Sequence, residues 1–488
     1  MDLSRIKVPL AIVAGALGTL SFAPFSWWWF APISLAAWMW LTMRWPGFGT
    51  GYWFGFGLFA TGVSWVSVSM IEHGGASIGL AVTMTGLFAA GLAIFPGLAS
   101  WGYAAWHSRW PSTLRKGILL SSCWVTMEAL RSWVLTGFPW LLMGHAALDS
   151  PFEGYLSWIG TFGASAMMAL VAAASLAVLT AHRWIATILG IAVLLIGWGA
   201  HTQFRPQLDE NTVRVALWQP VINQAEKWKP EFRDGIVANH VRFGLPSDAD
   251  VIVWPETALP MTDSQARRLL PDLDALLVRD QQTLIAGVLG QDDGRYTNRL
   301  MTFGQGNGTY DKTRLVPFGE YVPMETWLRG LIAFFDLPMS AIVPGTRQEL
   351  FRHGNLVMAP LICYEIAYTG LARHSAKDAN ALLTVSNDTW FGDSIGPDQH
   401  LQIAQIRARE LGKPVIRATN DGWTVVIDAF GRVQASLPRF ESGVLFADVR
   451  PASTRTPYAQ AGEAPLILIL VILLTLSRRN EALLPESP

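Results

Sequence analysis

Leu356-Val-Met-Ala-Pro-Leu-Ile-Cys-Tyr-Glu365 is an apolar, strand-prone run that ends on Cys363, Tyr364 and Glu365, and a helical pattern follows at about 365–376. Val251-Ile-Val-Trp-Pro-Glu256 has the same form with a carboxylate at its end. Around these two, further strand candidates lie at 213–218, 284–289, 299–303, 381–385, 415–418, 424–427 and 444–447. Helical stretches are expected at about 229–243, 263–282 and 398–412. Short β-rich runs interleaved with helices imply a layered α/β domain, here over residues 201–455.

Outside that domain the solvent changes. Mean hydropathy is +0.30 and only 15% of residues are charged, against roughly 25% in soluble domains. Residues 1–200 hold 13 charged side chains but 17 of the 23 tryptophans. They read as a lipid-embedded helical bundle, and residues 456–488 as a C-terminal span with a short tail. A net charge of -1 and a pI near 6.8 exclude a broad basic face for nucleic acid.

Apolar segments at about 8–25, 27–43, 50–71, 77–104, 117–135, 157–180, 184–200 and 465–476 give about eight transmembrane helices. Arg5 and Lys7 precede the first, but further spans follow at once, so it reads as an uncleaved span and not a signal peptide. Arg5, Lys7, Arg44, Arg109, Arg115, Lys116 and Arg183 all fall on one side, and the opposite connections carry no Lys or Arg. That bias puts both termini in the cytoplasm and the soluble domain outside it. Glu128 and Arg131 stand three apart on one face of the fifth span, either paired with each other or, for Arg131, meeting a lipid phosphate.

The chemistry gathers at strand ends. A cysteine at a strand-to-helix turn exposes its sulfur and has backbone N–H groups beside it; the plainer reading is a small buried hydrophobe. Cys363 is the soluble domain's only cysteine, so no disulfide forms within it. A third segment, Tyr310-Asp-Lys-Thr-Arg-Leu-Val-Pro-Phe-Gly-Glu-Tyr-Val-Pro323, uses Gly and Pro to restrain a loop bearing Lys312 and Glu320. The nine His residues include no HExxH pattern, and no Cys/His spacing suggests zinc, so neither a metal nor another cofactor is expected.

Glu256 in Trp-Pro-Glu-Thr, Lys312 in Tyr-Asp-Lys and Cys363 in Ile-Cys-Tyr-Glu, in that order, resemble the Glu-Lys-Cys triad of the nitrilase or carbon-nitrogen hydrolase superfamily. The wording around them is similar to the apolipoprotein N-acyltransferase family, and the likeness runs through nearly the whole chain. It includes Gln219-Pro-Val-Ile-Asn-Gln224, Lys227-Trp228, Tyr296-Thr-Asn298, Ser386-Asn-Asp-Thr-Trp390, Ser21-Phe-Ala-Pro24 and Thr136-Gly-Phe-Pro-Trp140. The resemblance implies an αββα sandwich on a multi-span membrane domain in the bacterial inner membrane, with its catalytic domain in the periplasm. It also implies ping-pong acyl transfer from a membrane phospholipid, through a thioester on Cys363, to the α-amine of a diacylglyceryl-cysteine apolipoprotein. Glu256 is then the general base, and Lys312 with the Tyr364 N–H holds the oxyanion. Asn298 supports the triad; Glu320 and Glu365 do so too or form simple loop ion pairs; Trp228 and Trp390 line the lipid entrance or pack in the core; and Arg131, where it is not paired with Glu128, contacts substrate. The apolar stretch 324–343, with Trp327, Leu331, Ile332, Phe334, Phe335 and Leu337, is expected to act as a lipid-facing arm or as an ordinary core helix.

Two other functions fit parts of the pattern. A membrane-tethered amidase or nitrilase would use the same triad but leave the spans without a purpose. A lipid or solute transporter with an accessory domain is opposed by the absence of an inverted repeat and the scarcity of intramembrane charge.

Overall fold

The computed structural model describes residues 6–178, 180–317, 319–321 and 342–477. The stretch 324–343, apart from Ile342 and Val343, lies outside the described residues. Two compact units emerge, one drawn from Met1–Ser64, Val82–Phe204 and Gln460–Pro488, the other from Trp65–Ala81 and Arg205–Ala459.

In the first half of the chain the described helices are α1 (Lys7–Gly18), α2 (Phe30–Arg44), α3 (Phe48–Gly62), α4 (Val66–Glu72), α5 (Ile78–Trp106), α6 (Thr113–Arg131), α7 (Glu153–Ala177) and α8 (Arg183–Gln203). Three are long and apolar enough to cross a membrane: α5 with its terminal turn, α7 and α8. A fourth is reached only if α3 and α4, bent by 48° at their junction, count as one. The others are shorter than the roughly 20 residues a span needs or, like α6, dilute their apolar run with Arg115, Lys116, Glu128 and Arg131. Helices α1 and α3 pack through glycine: a Cβ on Gly15 would lie 1.9 Å from the Phe54 carbonyl, and one on Gly57 2.0 Å from that of Ile12. Close backbone approach at small residues replaces hydrophobic driving force where the surroundings are themselves apolar.

The expected span at 50–71 is thus two helices, and polar contacts explain the break. Trp65 Nε1 donates to Gln399 Oε1 at 3.2 Å, Ser69 Oγ donates to the Trp390 carbonyl, and a His73 ring nitrogen lies 2.9 Å from the Thr389 carbonyl. The Trp65 ring stands edge-on to Phe391 at 4.8 Å. These partners belong to the α/β unit, which is why α4 is grouped with it.

That unit holds two six-stranded sheets. The first runs β12-β1-β2-β3-β4-β5 and contains β1 (Val213–Gln219), β2 (Val251–Val253), β3 (Thr283–Asp292), β4 (Arg295–Gly304), β5 (Thr309–Asp311) and β12 (Gly443–Val449). The second runs β11-β10-β9-β8-β7-β6, from β6 (Phe351–His353), β7 (Leu356–Ile362), β8 (Ala381–Ser386), β9 (Val415–Thr419), β10 (Val425–Ile427) and β11 (Val433–Ser436). Strands β1, β2 and β3 are parallel, as are β7, β8 and β9, with antiparallel strands toward both edges.

Side-chain alternation assigns the layers. Val213, Val215 and Leu217 join Val253, Ile285, Met358, Ile362, Leu383 and Ile416 in a core that draws on both sheets. Their neighbours Ala216 and Trp218 join Ile252, Trp254, Leu273 and Leu277 in a second core against the first sheet's outer face. Period-two alternation with both faces apolar requires cover on each side, and this is the expected αββα layering. Each such Val, Leu or Ile contributes about 1.5–3 kcal/mol by leaving water. A carboxylate at Leu217 would be buried without a partner and would disrupt the joint core.

The helical stretch expected at 263–282 is two helices, Asp263–Leu269 and Pro271–Arg279, because Pro271 has no N–H and starts a new helix at its first position. Strands β5, β6 and β11 were not expected; at three or four residues they are too short for alternation to register.

Candidate active site

Glu256 follows β2, Lys312 follows β5 and Cys363 follows β7. At β2 the chain turns through Trp254-Pro-Glu-Thr257, with Thr257 at a φ of 46°. Gly287 on β3 makes room for that turn, since a Cβ there would lie 2.3 Å from the Thr257 nitrogen. Cys363 itself has a φ of 54°, an uncommon conformation for a residue with a side chain. It opens the short helical turn Cys363–Ala367, so the Tyr364 peptide sits where a helix start presents N–H groups.

Buried charges meet here. Lys312 Nζ donates to Glu320 Oε1 at 2.8 Å and Glu256 Oε1 at 3.3 Å. Asn298 Nδ2 donates to the same two oxygens, at 3.2 and 2.6 Å, and its carbonyl accepts the Lys312 N–H at 2.8 Å. Glu256 Oε2 receives the Asn387 N–H at 2.9 Å. Burial alone would push the Lys312 ammonium down; Glu320 and Glu256 outweigh it and hold the group well above the usual lysine range. For the Cys363 thiol, burial and the Glu256 carboxylate push upward, against Lys312, which pulls down. At rest Cys363 is therefore a thiol, and a reaction through its sulfur would have to move that proton to a base.

Glu365 is wholly buried and joins the loop that bears Lys312 to the end of β7. Its Oε1 accepts from the Thr313 N–H, Thr313 Oγ1 and Arg314 N–H at 2.7, 2.9 and 3.0 Å. Its Oε2 accepts from Tyr310 Oη and the Ile362 N–H, each at 2.8 Å. Burial raises the Glu365 carboxyl above the ordinary range, opposed by these donors. Glu320 plays the local part, accepting the Val316 N–H at 2.8 Å while it faces Lys312. Tyr364 packs its ring edge-on against Tyr368 at 5.2 Å.

The tryptophans differ in surroundings. Trp228 is half-buried and, among the described residues, its indole N–H meets no hydrogen-bond partner. Beside it, Lys227 donates to the Glu256 carbonyl at 3.2 Å, and burial pushes its ammonium down to about 8. Trp390 lies on the loop after β8, with its ring edge-on to His73 at 5.0 Å.

Arg131 lies in the helical unit, 1% exposed. It donates to the carbonyls of Phe138, Trp140 and Leu141 at 2.7, 2.5 and 3.3 Å, and its guanidinium lies 5.0 Å from the Phe59 ring centre. Glu128 accepts from Trp124 Nε1 and the Met143 N–H at 2.9 and 2.7 Å. Both side chains thus tie down the turn at 138–143, and the reading of Arg131 as a contact for a lipid phosphate gives way to a structural one.

The family-like motifs already contained Lys227, Ser386, Asn387 and Asp388 without a role for any of them, and His400 and Arg417 had none either, although all have side chains or backbone groups in or beside the site. Among the described residues, no group of three His, Cys, Asp or Glu side chains is arranged to hold a metal ion.

Two family models match the chain: the apolipoprotein N-acyltransferase N-terminal domain over residues 14–174 and carbon-nitrogen hydrolase over residues 214–457. An apolipoprotein N-acyltransferase of Pseudomonas syringae pv. tomato is 40% identical over 481 residues, 95% of each chain. One from Pseudomonas aeruginosa is 40% identical over 98% of this chain and 96% of its own. The Vibrio vulnificus enzyme of the same name is 38% identical over 97% of both. Among solved structures, Saccharomyces cerevisiae Nit3, a member of the nitrilase superfamily, aligns with a TM-score of 0.37 at 17% identity, covering 52% of this chain and 95% of its own.

Proposed function

This chain belongs to the apolipoprotein N-acyltransferase family, and on that premise we propose that it moves an acyl chain from a membrane phospholipid to the N-terminal α-amine of diacylglyceryl-cysteine apolipoproteins. The observation that supports this reading best is the convergence of Glu256 and Lys312, both buried and charge-coupled to Cys363, at three strand ends. Glu256 takes the thiol proton as sulfur attacks the ester carbonyl, forming the C–S bond. Lys312 and the Tyr364 N–H stabilise the oxyanion. The C–O bond then breaks, and the lysophospholipid oxygen leaves with the proton from Glu256. In the second half, the acceptor amine attacks the thioester, the C–N bond forms, and the C–S bond breaks. Glu256 removes the amine's proton and returns it to the sulfur.

Glu320, Asn298 and Glu365 hold Glu256 and Lys312 in register, and Trp228 and Trp390 line the substrate's approach. We place the protein in the bacterial inner membrane, crossing about eight times, with both termini cytoplasmic and the α/β unit periplasmic. The Lys and Arg bias of the loops supports that orientation. Both substrates keep their acyl chains in the membrane, so helices at both ends of the catalytic domain suit a reaction at its surface.

The test uses purified full-length protein with acyl-labelled phospholipid. Label should appear on Cys363, be released by hydroxylamine, be absent from Cys363→Ala, and pass to an amide when a diacylglyceryl peptide with a free N-terminus is added. A folded wild type that never takes label would refute the proposal. Release of free fatty acid without peptide acylation would instead make it a hydrolase.

A further inference from the structure

Beside Cys363, on residues that end or follow β8 and on β9, lies a second buried polar chain. Ser386, the last residue of β8, has its Oγ 3.3 Å from Cys363 Sγ and 2.5 Å from Asp388 Oδ1. Asp388 Oδ2 accepts from Arg417 Nη2 at 2.8 Å. His400 Nδ1 lies 3.1 Å from Asp388 Oδ1 and 3.0 Å from Arg417 Nη2, and its Nε2 lies 3.2 Å from the Cys363 carbonyl. All four side chains are buried.

Proton counting assigns the roles. Burial and Arg417 push His400 down, so its ring is neutral and carries one N–H. That single N–H has two acceptors, the Asp388 carboxylate at Nδ1 and the Cys363 carbonyl at Nε2, and serves one of them at a time. Asp388, despite burial, is held well below the usual carboxylate range by Arg417 and His400, so it is a fixed anion. Ser386 has one hydroxyl proton and two acceptors within reach. A thiol or a thioester sulfur is a weak acceptor, and the hydroxyl then points to Asp388. A thiolate is a strong acceptor, and a rotation about the Cβ–Oγ bond turns the same proton to it.

Taking Cys363 as the nucleophile, as in the function proposed above, we propose that Ser386 is a further catalytic residue. Its hydroxyl turns from Asp388 to the Cys363 sulfur only while that sulfur carries negative charge, as its proton passes to Glu256 in the attack on the phospholipid ester and again as the thioester collapses. No bond to Ser386 forms or breaks, and its proton returns to Asp388 when the sulfur is acylated or protonated. A donor that engages only the charged form lowers the barrier in a way that uniform contact does not. Asp388, His400 and Arg417 are positioning residues: they aim the hydroxyl and hold the Cys363 peptide in its positive-φ conformation. Glu256, Lys312 and Asp388 are the charges that reach the sulfur, Glu320 and Arg417 act through Lys312 and Asp388, and His400 faces the Cys363 carbonyl.

The experiment is alkylation of full-length protein by iodoacetamide across pH, with Cys363→Ala as background, beside acylation by labelled phospholipid. In Ser386→Ala the alkylation midpoint should rise by about one to two pH units, and acylation should slow roughly tenfold to a hundredfold, as expected for one hydrogen bond to a charged group. Ser386→Thr, which keeps the hydroxyl, should restore most of both. Asp388 retains Arg417 and His400 in the alanine variant, so folding is expected to survive, with thermal unfolding as the check; Ser386→Gly is read in the same assay if it does not. A midpoint equal to wild type in Ser386→Ala or Ser386→Gly overturns the proposal, including where acylation is slower. Alkylation needs no lipid, so a Cys363 that alkylates but never accepts an acyl chain defeats the functional reading and still tests Ser386.

Discussion

The buried charges around the turn at 138–143 and those beside Cys363 are resolved differently. Around the turn at 138–143, Arg131 donates to three backbone carbonyls and Glu128 accepts a backbone N–H and an indole N–H. In the α/β unit, Lys312, Glu256 and Glu320 satisfy one another, and the charges of Lys312 and Glu256 also reach a thiol. A buried charge spent on backbone groups holds a loop. One balanced by another side chain can respond when a proton moves, because its partner is a charge of adjustable protonation and not a fixed dipole.

The sharpest way to break that contrast is to neutralise one member of each cluster. Glu256→Gln keeps shape but cannot take the thiol proton, and acyl-enzyme formation should fall about 10²–10⁴-fold with expression maintained; label accumulation over time checks it. Normal labelling would mean that Glu256 is as structural as Glu128. For Lys312→Met, the lost oxyanion donor should cost about 10²–10³ in rate, together with a lowered unfolding temperature because Glu256 and Glu320 are left facing each other. Glu365→Gln sharpens the comparison, since Glu365, like Glu128, accepts from both backbone and neutral side-chain donors yet lies two residues after Cys363. We expect about a tenfold to hundredfold rate loss, through displacement of Lys312 and Cys363, which hydroxylamine-sensitive labelling will measure.

Arg131→Ala should show the opposite profile: less protein in the membrane and about 3–5 kcal/mol lower stability, with thioester turnover per folded molecule unchanged. Slow turnover at normal abundance would return Arg131 to the substrate-binding residues. The smallest effect expected concerns pH. Burial raises Asp421 to about 6, above the roughly 3.9 of an unfolded chain, so the folded state binds more proton between those values. Its contribution is present below about pH 4 and fades as pH rises through about 6. Asp421→Asn should flatten the stability profile over that interval by at most about 3 kcal/mol, which thermal unfolding at stepped pH will detect.

Much of the α/β unit was legible because burial leaves a periodic trace. Val213, Val215 and Leu217 alternate with Ala216 and Trp218, and both sets are apolar because helices and a second sheet cover the two faces. Glu256, Lys312 and Cys363 were visible since each ends a recognisable strand or a Gly- and Pro-restrained loop. Short edge strands left no such trace. Nor did the partition of the span at 50–71, whose residues look uniformly apolar until Trp65, Ser69 and His73 find partners more than 300 positions away in the chain.

By itself, the sequence determined which segments prefer lipid, which prefer water, and which strand ends carry a thiol, an ammonium and carboxylates, since these follow from local composition and period. The tertiary structure alone decided what each charge meets. It turned Arg131 inward to three carbonyls, made Glu365 a five-donor anchor, and set Ser386, Asp388, His400 and Arg417 beside Cys363. Those outcomes depend on distances between residues far apart in the chain, and hydrogen bonding is too short-ranged and directional for composition or spacing to foretell.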